Sequence, residues 1–263
     1  VSDTTKGNGA AAPATDEQQR PPMFYDQPVP VSAAEHGKMK IRPEFDFAHA
    51  AKVNAVPVTA PEFVLTARCY PIIFVGPGLI PTAALGFNPD DNLFVNAQGE
   101  WDRFTYIPAY VRRFPFILLG EQGAERLRLG IENTAASAKA DARALFEGEK
   151  ETETVRAALN MCEQFHQAYL FTREFSQAMA DSKLVEERTL DVTLANGEKV
   201  NVGTFNAVNE EKFKELPDAK VLEWKKKGFL HAVYFHLQSL NNWDTLLAKA
   251  NDKANTAAAA KTA

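Results

Sequence analysis

The chain has 263 residues, 45 % hydrophobic and 24 % charged, with a formal net charge of −5 and a pI near 5.6. This is an ordinary globular balance with enough apolar material for a sizeable core, and its acidity leaves no broad basic field, so general nucleic-acid binding is excluded. The longest apolar runs, Tyr70–Val75 and Phe114–Leu119, fall far short of the ~20 residues a membrane-spanning helix needs, so the chain is expected not to span a membrane.

Residues 1–22 are rich in Gly, Ala, Thr, Pro and Gln with no hydrophobic period, and are read as a disordered leader. Ala10–Ala12 is interrupted by Pro13 and then by Asp16, Glu17 and Arg20, so no apolar core of a Sec-type signal forms. The expected location is therefore cytoplasmic, with the cell surface by a non-Sec route as the alternative. A single folded domain is expected over 23–248. Residues 249–263, ending in Ala257–Ala260, have no apolar face to dock and are expected to form a disordered, frayed tail.

From Phe24 to about Leu119 the texture is rich in Pro, Gly and aromatic residues, with short β-like runs. Tyr70–Val75 predicts a buried strand bounded by Gly76-Pro77-Gly78. Thr82–Phe87 and Leu93–Val95 predict further strands, and Asn96-Ala97-Gln98-Gly99 a hairpin turn leading into Trp101. Ile107–Leu119 is apolar around Arg112-Arg113 and predicts a short helix broken at Pro115.

Helices dominate from Ala135 onward. Met161, Phe165, Ala168, Thr172, Phe175 and Met179 recur at three- and four-residue steps, predicting one buried face of a long helix. Alternating Leu190, Val192 and Leu194, then Asn196-Gly197, then Val200 and Val202, predict a hairpin with a type I′ turn. Asn209 is expected to cap a short helix stopped by Pro217. A helix over Asp218–Lys227 should end at Gly228, and one last helix should run from Phe229 to about Ala248. The sum is an α+β fold in one domain: a β-rich N-terminal half of short strands and hairpins, then a helix-rich C-terminal half with one inserted hairpin.

Few residue patterns carry chemistry. His231 and His236 are five apart on the last helix and so diverge by about 140°, a poor metal pair, and both are read as structural. No metal or cofactor is expected. Cys69 and Cys162 belong to no CxxC pair, and whether they are free is left open. Arg68, beside Cys69, is positioned to lower its pKa, but a small buried hydrophobe entering a strand is favoured. Gly76-Pro77-Gly78 lacks the donor and the Gly-Lys-Ser/Thr of a phosphate loop, and Asn88-Pro89-Asp90-Asp91-Asn92 reads as a turn rather than a calcium loop. No catalytic residue is assigned.

The most informative stretch is Tyr106-Ile107-Pro108-Ala109-Tyr110-Val111-Arg112-Arg113-Phe114-Pro115-Phe116. Two guanidinium groups amid aromatics either clamp a carboxylate or phosphate, or pair with Asp102, Asp90 or Asp91 and brace the hairpin; the brace is favoured. As a ligand site it would draw on Arg112, Arg113, Tyr110, Trp101, Tyr70 and Arg68.

That stretch, with Asn54-Ala55-Val56-Pro57-Val58, Glu62-Phe63, Ala67-Arg68-Cys69-Tyr70-Pro71-Ile72-Ile73-Phe74, Ala84-Leu85-Gly86-Phe87, Asn92-Leu93-Phe94-Val95 and Gly99-Glu100-Trp101-Asp102, resembles the bacterial SapC family. Lys227-Gly228-Phe229-Leu230 and His236-Leu237-Gln238-Ser239-Leu240 through Trp243 resemble that family's ending, so the likeness spans about Phe24 to Leu247. The resemblance implies association with a bacterial surface layer or cell envelope and brings no catalytic residues with it. It also implies a link to TonB-dependent receptors and nutrient uptake.

Two functions follow. The first is a non-enzymatic, surface-layer- or envelope-associated protein that works through protein partners or self-association. The alternative is a cytoplasmic small-molecule-binding protein or enzyme accessory in a TonB-receptor-linked uptake pathway.

Overall fold

The buried strand expected at Tyr70–Val75 lies in the middle of the largest sheet of the computed structural model, which describes residues 22–120, 127–197 and 199–262. The leader reading for 1–22 falls outside the described residues except at Pro22. The first part of the chain supplies strands β1 (Pro28–Pro30), β2 (Lys40–Ile41), β3 (Ala55–Pro57), β4 (Ile72–Val75), β5 (Ile80–Ala84), β6 (Phe116–Leu119), β7 (Arg128–Glu132), β8 (Arg143–Ala144), β9 (Phe146–Glu147) and β10 (Lys150–Glu151). Single helical turns α1 (Ala33–His36), α2 (Phe63–Thr66) and α3 (Ala109–Arg112) interrupt them. Then come helix α4 (Glu153–Asp181), the hairpin β11 (Val185–Thr193) and β12 (Lys199–Val208), and helices α5 (Glu210–Lys214), α6 (Asp218–Lys227), α7 (Phe229–Ser239) and α8 (Asn242–Thr262). This is the expected α+β order, strands first and helices after.

The five-stranded sheet has the order β11-β12-β4-β5-β3, all pairs antiparallel. The long hairpin inserted among the helices therefore returns to the sheet built by the first half. Ile72 and Phe74 point into the main core, while Ile73 packs with Phe205 and Ala207 on the other face, as strand alternation requires. A second sheet, β1-β7-β6, and the pairs β2-β8 and β9-β10 surround a smaller core of Ile41, Phe116, Ile131, Leu145 and Phe146.

Helix α4 connects the two cores. Its first half buries Val155 and Cys162 in the smaller core; its second half buries Thr172, Phe175 and Met179 in the main one. Phe175 stands 6.1 Å from Phe63, 6.2 Å from Phe74 and 5.6 Å from Phe229, ring centre to ring centre, and so joins α2, β4 and α7. The expected stripe is thus buried only at its end. Between the two cores Phe165 and Ala168 are half-buried, because the helix there crosses from one core to the other.

Other expectations shift for identifiable reasons. Ile107–Leu119 is a single helical turn, α3, followed by strand β6, because Phe116–Leu119 finds a partner in β7. Leu93–Val95 forms no strand of its own; Val95 only bridges to Trp101 across the Asn96–Gly99 turn. The hairpin turn is not type I′. Gly197 N–H donates to Leu194 O at 2.9 Å with a φ of 84° at Gly197, and Asn196 is not among the positive-φ residues, so a type I turn is closed by a left-handed glycine. Asn209 caps α5 through Lys212 N–H, and Gly228 ends α6 at φ 79°.

The last helix is two helices. The chain breaks at Leu240-Asn241, and Asn242 Nδ2 donates to Ala67 O at 2.8 Å and Tyr70 O at 3.1 Å, which turns the new helix onto the core. Residues expected to fray continue α8 to Thr262, with Lys249 paired to Asp102 and Lys253 to Asp91. No described helix is long and apolar enough to cross a membrane.

Candidate functional site: the Arg112–Arg113 turn and the α4 groove

Pro108 sits extended at φ −54°, ψ 141° and opens α3, a turn that needs no more than its four residues. Successive helical residues are rotated by about 100°, so adjacent side chains face different surroundings. Tyr110 and Val111 point inward, Arg112 is exposed and Arg113 is half-buried.

On the Arg112 side lies a buried carboxylate that sequence reasoning did not assign a role. Glu62 Oε1 accepts from Thr59 N–H at 2.6 Å and Thr59 Oγ1 at 3.0 Å. Its Oε2 accepts from Tyr106 Oη at 2.8 Å and Ala109 N–H at 2.9 Å. Arg112 Nη2 donates to Tyr106 Oη at 3.2 Å, and its Nε to Ile107 O at 2.9 Å. Burial and the neighbouring Glu62 carboxylate push the Tyr106 hydroxyl well above its usual range. The sequence signal for this node was the Thr59-x-x-Glu62 spacing of a capping box.

The turn is held from beneath as well. Arg42 donates to Phe114 O at 2.7 Å and to Asp46 O at 2.6 Å, and burial pulls its pKa down to about 10. His49 Nε2 donates to Val111 O at 3.2 Å, and its ring stacks on Phe114 at 4.3 Å. Burial lowers the His49 pKa to about 3, so the ring is neutral at pH 7. Tyr25 Oη donates to Phe116 O at 2.6 Å.

Arg113 faces the other way. Its guanidinium lies 4.4 Å from the ring centres of both Tyr110 and Phe165, and 5.5 Å from that of Tyr25. No carboxylate pairs with it among the described residues, and its Nε is buried without a hydrogen-bond partner there. The expected brace to Asp102, Asp90 or Asp91 is not formed: Asp102 is taken by Lys249 and Asp91 by Lys253. Arg113 instead lines a groove of about 1360 Å³ along α4, with Phe165, Leu170, Ile117, Leu118 and Ile80 among its walls.

Of the six residues proposed as a ligand site, only Tyr110 and Arg113 meet at this groove. Tyr70 and Trp101 are buried against each other, Trp101 Nε1 donating to Tyr70 Oη at 3.0 Å while Tyr70 Oη donates to Tyr106 O at 2.5 Å. Arg68 and Arg112 are exposed and line no part of it. Phe165, which completes the arginine's aromatic sleeve, lies 52 residues downstream of it, and no local pattern announces that meeting.

Both cysteines are free. Cys69 Sγ accepts from Tyr106 N–H at 3.4 Å, and burial pushes the Cys162 thiol up to about 11. His231 is exposed, whereas His236 is fully buried with Nε2 accepting from Val208 N–H at 3.0 Å. Among the described residues no group of three or more His, Cys, Asp or Glu is disposed to hold a metal ion.

Comparison with curated proteins and with solved structures returns no match. The SapC family model matches residues 31–246, from the end of β1 to the first turns of α8, including Glu62, the Tyr106–Phe116 stretch and all of α4. The chain belongs to the SapC family.

Proposed function

We propose that this SapC-family chain works by binding rather than by catalysis, as a surface-layer- or envelope-associated protein whose contact surface is the α4 groove. The observation that carries this reading is the contrast between spent and unspent groups. Glu62, Glu132, His49, His236 and Tyr70 are each committed to hydrogen bonds that hold one part of the fold to another. The groove side of α4 instead leaves Tyr169, Leu170 and the facing Ile80 at 47 %, 40 % and 51 % exposure, next to an arginine with no acidic partner among the described residues. Exposed apolar side chains around a polar anchor are what a contact surface requires.

The test is location. Native cells are fractionated, surface proteins are released gently, and the chain is detected by blotting. Recovery with the surface or outer-membrane fraction is the expected result; recovery wholly in the cytosol removes the envelope role. Arg113, with no ion-pair partner among the described residues, favours one second reading, a cytoplasmic small-molecule-binding protein in receptor-linked uptake, and the cytosolic outcome selects it.

A further inference from the structure

The α4 groove has a single half-buried cation with no acidic partner among the described residues, and its walls mix apolar side chains with the carboxylates of Glu174, Asp181 and Glu223. Of the other basic residues along it, Lys220 and Lys227 are both paired to Glu223, and Arg173 is exposed. Arg113 is different. Rings lie over its faces, and no carboxylate among the described residues is within ion-pair distance of it. A desolvated guanidinium is costly without an anion, and its planar fork suits a carboxylate.

The rest of the groove defines what carries that carboxylate. Ile80, Pro81, Ile117, Leu118, Phe165 and Leu170 give it an apolar lining. Two of its hydroxyls are already engaged: Thr172 Oγ1 accepts from Ala60 N–H at 2.8 Å and donates to Ala168 O at 2.7 Å, and Ser176 Oγ donates to Leu79 O at 2.9 Å. Strand β3, the edge of the large sheet beside the groove, ends in Pro57, which has no N–H to offer a further strand. The edge therefore offers a peptide strand no donor at Pro57. The lining runs along α4 from Cys162 to Asp181, about 28 Å at 1.5 Å per residue. That length fits a chain better than a compact ring.

We propose that the groove binds an amphiphilic monocarboxylate of the fatty-acid type, its carboxylate on the Arg113 guanidinium and its apolar tail along the wall made by α4. This rests on the reading of the protein as a binder rather than a catalyst.

The test is isothermal titration of the full chain with decanoate, alongside acetate (the charge without the tail) and decyltrimethylammonium (a similar tail with the opposite charge). Decanoate should bind, and the two controls should not. R113M should weaken decanoate by about tenfold or more, the scale of one charge-assisted hydrogen bond, while R112M should bind as the unaltered chain does. L170E changes an exposed wall residue, so it keeps the test alive if R113M fails to fold; it should also weaken decanoate.

No decanoate binding at millimolar concentration, or equal binding by R113M, overturns the site. So does equal binding of decyltrimethylammonium. Cell fractionation answers separately for the envelope role. Decanoate binding by a chain recovered only in the cytosol keeps the ligand site and removes that role. Envelope recovery without decanoate binding keeps the role and overturns the site.

Discussion

Arg112 and Arg113 are neighbours in sequence and strangers in the fold. On the Arg112 side every polar group of the Glu62 node has a partner, and the exposed guanidinium adds hydrogen bonds to Tyr106 Oη and Ile107 O at the rim. On the Arg113 side the charge is enclosed by rings and has no acidic partner among the described residues. The difference teaches that a double arginine in one helical turn is two separate devices, one closing a structural knot and one opening onto a groove. Arg112 keeps its charge in water at the rim while Arg113 sits half-buried among rings, so the two should respond differently to substitution.

The largest effect is expected at Glu62. Glu62→Ala leaves Thr59 N–H, Thr59 Oγ1, Tyr106 Oη and Ala109 N–H without their acceptor in a buried setting. At a typical cost of about 1–3 kcal/mol for each unsatisfied buried group, offset by relaxation, the loss should be about 4 kcal/mol. For a domain of this size that is roughly a 10 °C drop in Tm. Urea and thermal unfolding measure it. A loss below about 1 kcal/mol would show that the node is not what anchors the Arg112 side.

The next effect is on pH, through the two neutral histidines that brace the molecule from inside. His49 holds the Val111 carbonyl beneath the turn, and His236 receives Val208 N–H from β12. Burial lowers both to about 3, against about 6.5 in an unfolded chain. Below pH 6.5 the unfolded chain takes up protons that the folded one refuses, so stability falls as pH falls toward 3. Between pH 7 and pH 5 each histidine should cost about 2 kcal/mol. Glu132 and Asp46, both held below the usual carboxylate range although burial opposes it, add their loss only at lower pH. Glu132 is lowered by hydrogen bonds from Asp26, Gln27 and Thr134, and Asp46 by those from Lys139 and Ala48. Urea titrations from pH 7 to pH 5 should show the slope. His49→Gln should flatten it by about half, and an unchanged slope would mean the ring already titrates in the native state.

Much of this architecture was legible in the sequence, and the failures have physical causes. The hairpin, the long helix and strand β4 were readable because their periods are local. Phe116–Leu119 was misread because a short apolar run suits helix or strand equally, and its partner β7 has no alternation of its own. The grouping of the candidate site residues was only partly legible. The fold brings Arg113 and Tyr110 together at the groove, whereas Tyr70 and Trp101 satisfy each other's polar atoms and so turn inward. The acidic partners expected for the arginines went to Lys249 and Lys253, on a helix expected to have frayed.

Direct comparison of the arginines should give smaller, unequal effects. Arg112→Ala removes hydrogen bonds to Ile107 O and Tyr106 Oη and should cost about 1 kcal/mol. Arg113→Met keeps the packed stem between Tyr110 and Phe165 and relieves a partly desolvated charge, but it also loses that charge's contacts with the two rings, so the change should be near neutral, within about 0.5 kcal/mol. Equilibrium urea unfolding of both variants decides it. Equal losses at the two positions would erase the distinction between knot and groove.

The smallest effect belongs to α8. Lys253 pairs with Asp91 where its own side chain is 58 % exposed, so Lys253→Ala should cost at most about 0.5 kcal/mol, the usual worth of a screened surface pair. Lys249 is less exposed, at 30 %, and also lies 4.8 Å from the centre of the Phe94 ring, so Lys249→Ala should cost more, about 1 kcal/mol. Raising salt from 0.05 M to 0.5 M should weaken the Lys253 contribution more, since exposed charges are screened first. If Lys253→Ala instead costs as much as Lys249→Ala, the helix is docked by its charges. If it costs little, Trp243 and Leu246 at its start carry the docking and the lysines only set its direction.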